Sequence, residues 1–130
     1  MKTGFICIGD NVFSTLLAIS EIEQRKGLMN VVAPVPVMSF LYSKAKVNKF
    51  WMANTPSKLD IVFCLNGRVS QICTGNPYDF STIGSDEDSD LVIELPYGTV
   101  KSKNIKIGQK VDFLKDTKEL LNSLNFKNYG

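Results

Sequence analysis

The dipeptide Asn66-Gly67 constrains this chain more than any other feature of its sequence. A two-residue hairpin turn of type I′ needs positive φ at both central positions, and Asn-Gly supplies them at the least steric cost. Apolar runs flank it on both sides, Leu59–Leu65 before and Arg68–Cys73 after. The spacing therefore predicts two antiparallel strands joined by that turn. Side chains alternate along a strand. Leu59, Ile61, Phe63 and Leu65 should share one face, and Asp60, Val62 and Cys64 the other.

Similar punctuation organises the rest of the chain. Strands are expected over Phe5–Ile8 and Val12–Ala18, joined by a Gly9-Asp10-Asn11 turn. Ser20 and Glu23 have capping-box spacing, which predicts a helix over Glu21–Lys26 that Gly27 stops. Pro34 and Pro36 require an extended connection before a strand at Val37–Tyr42. A polar loop, Thr74 to Asp90, precedes a strand at Leu91–Leu95, a turn at Pro96-Tyr97-Gly98, a Gly108 turn and a strand at Lys110–Leu114. Asp116 and Glu119 again have cap spacing and predict a last helix over about residues 116–125, with Leu120, Leu121 and Leu124 on its apolar side. Many short strands with two short helices indicate a mainly β (α+β), compact, barrel-like fold. No repeat, low-complexity tract or linker divides residues 1–130, so one domain is expected.

Composition removes whole classes of chemistry. The chain has no histidine, which excludes Ser-His-Asp and Cys-His catalysis and His-ligated metals. Its net charge of +2 is too balanced to imply nucleic acid or a membrane surface. Cys7, Cys64 and Cys73 are odd in number and lack CxxC spacing; free structural thiols in a reducing compartment are expected. No stretch approaches the roughly 18–20 apolar residues of a membrane span, and the first apolar run is too short for a signal peptide. Synthesis in the cytoplasm is the expectation, without membrane insertion. Thirteen of the fifteen basic residues are lysine, which hints at a low-GC genome.

Several segments in order carry a resemblance. They are Gly27-Leu28-Met29, Phe50-Trp51-Met52-Ala53-Asn54-Thr55, Leu59-Asp60-Ile61, Gly67-Arg68-Val69, Glu94-Leu95-Pro96-Tyr97-Gly98 and Ile105-Lys106-Ile107-Gly108. Together the sequence resembles the domain-of-unknown-function 192 family, over about residues 5–114. The resemblance implies a small β fold with a partly closed barrel and no established activity. Tyr97 stands where the family usually has Ala, Gln109 where it has Asp, and Ala53 where a basic residue is common. Members occur in some marine bacteriophages, which brings a phage-encoded member into view.

Two acids interrupt apolar strands, Asp60 and Glu94. Each is expected to be structural, accepting hydrogen bonds in the interior; the alternative is a carboxylate pair for general acid–base chemistry, as in glycan processing. Trp51 is expected in the core, with Asn54 and Thr55 in a turn. Alternatively Trp51, Asn54 and Thr55 line a small ligand pocket. Asp86, Glu87, Asp88 and Asp90 crowd one loop without EF-hand spacing, so a solvated charge run and no metal are expected. Lys101, Lys103, Lys106, Lys110, Lys115 and Lys118 lack interleaved Arg and aromatics, so no nucleic-acid partner is expected. No glycine-rich phosphate loop exists, and no cofactor is expected. Tyr78, Phe80, Tyr97, Phe126 and Tyr129 are candidates for an interface with other protein chains. The functional expectation is a non-catalytic binding or interaction domain, such as an accessory component of a phage particle with virion-associated localisation. The alternative is a small-ligand or glycan-processing enzyme, which requires Asp60, Glu94, Trp51 and Asn54 to converge in one pocket.

Overall fold

The computed structural model describes residues 1–126 and 129. Seven strands form one curled sheet: β1 (Lys2–Ile8), β2 (Asn11–Ala18), β3 (Met38–Val47), β4 (Leu59–Leu65), β5 (Arg68–Gly75), β6 (Asp88–Pro96) and β7 (Val111–Phe113). Their order across the sheet is β5-β4-β6-β3-β2-β1-β7. Only β2 and β3 run parallel, and α1 (Glu21–Lys26) lies in the crossover that a parallel pair requires. The hairpin turn forms as its sequence dictates, with φ of 51° at Asn66 and 77° at Gly67.

The two edges of the sheet meet at one end. Val69 donates to the Gln109 carbonyl (2.9 Å), Gly108 donates back to Val69 (2.8 Å), and Val111 donates to Gly67 (2.8 Å). The result is a partly closed barrel, with edge groups satisfied where they would otherwise be unpaired. Strand alternation then sorts the apolar side chains into two layers. Ile6, Ile8, Leu17, Val62, Ile93, Leu95 and Phe113 fill the interior. Ala18, Met38, Phe40, Leu59, Ile61, Phe63 and Val92 form a second layer on the other face. That outer layer is packed by Leu28, Met52 and the connections carrying Val31, Val35 and Phe50.

Three details depart from the sequence expectations. First, β3 continues to Val47 and β6 begins at Asp88, so the strands reach further into the polar segments than their apolar runs suggest. Second, the last helix, α3 (Lys115–Ser123), has Leu114 at its N-cap and no side-chain cap, so Asp116 does not cap it. Asp116 lies instead in the first turn, where a negative charge complements the helix dipole. Third, there is an additional one-turn helix, α2 (Thr99–Ser102), after the Pro96-Tyr97-Gly98 turn. Its N-cap is Gly98 at φ 94°, which has no side chain to offer. The missing cap comes from β4, where Asp60 Oδ2 accepts the Val100 N–H at 2.9 Å. A cap supplied from forty residues away leaves no local signal.

Candidate functional site

The register of β4 against β6 decides how the two buried acids relate. Ile61 sits opposite Glu94, and Asp60 opposite Leu95. Directly opposed residues point to the same side, so Glu94 shares the outer layer with Ile61 and Asp60 faces the barrel interior. The alternative of a carboxylate pair is not realised, because adjacent rungs of one ladder send the two side chains to opposite faces. Asp60 is 5% exposed and serves as the cap for α2.

Glu94 has a different environment. It is 4% exposed and has no hydrogen-bond partner among the described residues. Its carboxyl faces a cleft of about 290 Å³ bounded by α1, the Gly27–Met29 segment, β3 and the stretch from Asn48 to Thr55. Burial alone pushes its pKa up to about 8, from an ordinary 4.5. At neutral pH it is a carboxylic acid, able to donate a proton in a hydrogen bond.

Each wall of the cleft is fixed by its own contacts. Ser20 Oγ accepts the Glu23 N–H (3.1 Å) and Glu23 Oε1 accepts the Ser20 N–H (3.0 Å), completing the capping box that starts α1. Those bonds hold the Glu23 carboxyl below its usual pKa. Gln24 donates to the carbonyls of Ala18 (3.1 Å) and Leu41 (2.8 Å), tying the helix across β2 and β3. Gly27 ends it at φ 49°, a conformation that favours glycine, and a Cβ there would stand 3.8 Å from Glu94 Oε1. On the opposite side, Asn48 donates to the Ser89 carbonyl (2.9 Å) and hydroxyl (2.8 Å), which anchors the chain leaving β3. Phe50 then packs edge-on to Phe40, with ring centres 4.9 Å apart.

Trp51 is not in the core. It is 54% exposed at the mouth of the cleft, edge-on to Phe80 at 6.0 Å. Phe50 exchanges backbone bonds with Ile83, and Met52 donates to Asp79. In that extended stretch alternate side chains point inward, so Phe50 and Met52 take the core positions and Trp51 is turned out. Thr55 is buried, lines the cleft and donates to the Ala53 carbonyl at 3.1 Å. Asn54 is exposed at φ 54°, a turn residue outside the cleft whose carbonyl accepts the Asn30 N–H. Glu94, Trp51 and Thr55 therefore converge, while Asp60 and Asn54 do not join them.

The cleft also holds residues that sequence reasoning missed. Arg25, Lys26, Lys46 and Lys49 are exposed side chains among its lining, and Phe40 and Tyr42 line it from β3. Their signals were present: two basic residues just before Gly27-Leu28-Met29, and an apolar alternation of Met38, Phe40 and Tyr42. Lys46 lies over the Tyr42 ring at 5.3 Å, and Lys49 pairs with Asp86 at 2.9 Å. Burial and the neighbouring Glu94 both raise the Tyr42 pKa, burial more.

The family model DUF192, described as "Uncharacterized ACR, COG1430", matches residues 5–113. The chain belongs to the DUF192 family. No curated protein matches it. Among solved structures, a protein of unknown function from Novosphingobium aromaticivorans superposes with a TM-score of 0.80 at 31% identity, covering 85% of this chain and 84% of that one. A protein from Sinorhizobium meliloti, described as a candidate transcription regulator, gives 0.80 at 25% identity, covering 86% and 94%. The DUF192 match contains every residue of the cleft and ends just before α3.

Elsewhere on this DUF192 domain, Tyr78, Phe80 and Tyr97 are exposed, and Lys58 covers the Tyr97 ring at 4.0 Å. Phe126 and Tyr129 fold back onto the interior layer and are half-buried. The Tyr129 hydroxyl bonds the backbone of Tyr42 and Asp90, where the β3–β6 ladder is interrupted after Leu41. Cys64 is buried, Cys7 and Cys73 are half-buried, and all three are unpaired. Among the described residues no group of three His, Cys, Asp or Glu side chains could hold a metal ion. No helix among them is long and apolar enough to cross a membrane.

Proposed function

We propose that this DUF192 chain is a non-catalytic binding module that admits a small ligand to the Glu94 cleft. One observation carries the reading: a buried carboxyl without a hydrogen-bond partner among the described residues opens into a cleft walled by aromatic and apolar side chains. No fully enclosed side-chain oxygen among the described residues lacks a partner, so the Glu94 carboxyl is open to the cleft; holding it among apolar walls still costs stability, which a partner arriving from outside would recover. The cleft is near the lower end of small-molecule sites, which run roughly 300–1,000 Å³. Two-carboxylate hydrolysis is not proposed, since Asp60 lies across the sheet from Glu94. We assign the domain no nucleic-acid partner and no cofactor.

Glu94→Leu tests the reading. Removal of the unpaired acid should leave stability at pH 7 unchanged or raise it by about 1 kcal/mol in urea unfolding. A loss above about 2 kcal/mol would make Glu94 a structural acid and remove the support for the site.

A second reading has its own motive. Trp51 and Phe80 form an exposed aromatic pair, with Tyr78 and Tyr97 also exposed, and aromatics of this kind are enriched in interface cores. On that reading other protein chains cover them, in a larger assembly such as a phage particle. The unpaired thiols suit a reducing compartment, so the cytoplasm is the proposed place of synthesis, with the virion as the alternative destination.

A further inference from the structure

We propose that the ligand of the Glu94 cleft is a small organic acid whose anionic group sits at the cationic mouth and whose uncharged oxygen acceptor meets Glu94 at the floor. The inference deepens the binding-module reading and rests on it. The mouth carries Arg25 and Lys26 from the last turn of α1, Lys46 from β3 and Lys49 from the following connection. Lys49 is engaged by Asp86, whereas Arg25, Lys26 and Lys46 have no ion-pair partner among the described residues. Among the described residues Glu94 is the one acid lining the cleft, in a chain whose net charge is only +2. Cations collected around one opening favour an anion and repel a cation.

The floor sets the other requirement. The ionisable groups that share the cleft with Glu94 are Arg25 and Lys26 from α1, Tyr42 and Lys46 from β3, and Lys49, of which Tyr42 is close enough for its own pKa to respond to Glu94; β4 presents only Leu59, Ile61 and Phe63 on that face. Burial keeps the carboxyl protonated at neutral pH, so it offers one O–H to an acceptor such as a carbonyl. Between floor and mouth the walls are Phe40, Phe50, Leu28 and Met29, which suit a flat apolar body.

Three matched probes separate these requirements: 4-acetylbenzoate has both groups, 4-ethylbenzoate lacks the acceptor, and 4-acetylbenzylamine reverses the charge. Binding is read from amide shifts of Gly27, Phe50 and Glu94 in NMR titrations. At about pH 6.5, 4-acetylbenzoate should bind tightest, by about tenfold over each of the others. Its affinity should fall by about tenfold as pH rises past 8, because an ionised Glu94 loses the donated proton and repels the acid. Glu94→Gln keeps a donor and should abolish that fall. The exposed pair R25E/K26E, which keeps the Glu94 side chain in place, should weaken 4-acetylbenzoate at least about fivefold. Stronger binding of the amine, or indifference to R25E/K26E, would overturn the anion inference while leaving the cleft a ligand site. No shift with any probe at millimolar concentration would overturn both.

Discussion

Asp60 and Glu94 occupy adjacent rungs of one β-ladder, are equally buried, and have opposite relations to the rest of the molecule. Asp60 points into the barrel and accepts the Val100 N–H, finishing a helix that Gly98 leaves uncapped. Glu94 points outward, into a cleft, and nothing in the described chain bonds it. Burial alone therefore does not mark an acid as structural or functional. What separates the two is whether the fold itself supplies the partner.

The contrast between the two acids has its strongest consequence in a pH dependence. Unfolded, Glu94 releases its proton near 4.5; folded, it keeps the proton until about 8. The folded state therefore binds more protons across that window, and stability falls as pH rises through it. Relative to high pH, the contribution is fully present below about 4.5 and is gone above about 8. Urea unfolding from about pH 4 to pH 9 should show wild type losing roughly 2–5 kcal/mol more than Glu94→Gln. Comparison of the two proteins cancels Glu23, Asp79 and Asp86, whose pKa values are lowered, and Asp90, whose value is raised. Equal slopes would place Glu94 in the same class as an ordinary carboxylate.

Asp60→Ala should cost about 1–3 kcal/mol, since it orphans the Val100 N–H at the start of α2. Hydrogen exchange should show the Val100 amide losing protection. A neutral substitution would mean that the cap is dispensable, and the contrast with Glu94 would lose its structural half.

Local chemistry made much of the fold legible. Asn66-Gly67 fixed the hairpin, and Ser20 with Glu23 fixed α1, because turns and caps of that kind act within a few residues. The apolar strand runs gave the two faces of β4 correctly, including the side on which Asp60 lies. What stayed hidden depends on distant partners. Helix α2 takes its cap from β4, and α3 starts at Leu114 without a side-chain cap. Trp51 is turned out because Phe50 and Met52 bond to the segment carrying Asp79 and Ile83. Likewise the pairing of Asp60 with Glu94 could be judged only once the β4–β6 register was known. Within the site, Glu94 stood out as an acid in an apolar run, but the cations at the mouth come from three separate segments and share no motif.

Glu94 is held neutral without a partner among the described residues, and the ligand reading depends on that. Its carboxyl carbon, observed by NMR in selectively labelled protein during a pH titration, tests that claim most directly. A midpoint near 8, moved when 4-acetylbenzoate is present, is the predicted result. A midpoint near the ordinary 4.5, unmoved by the probe, would show a solvated carboxylate and contradict the claim.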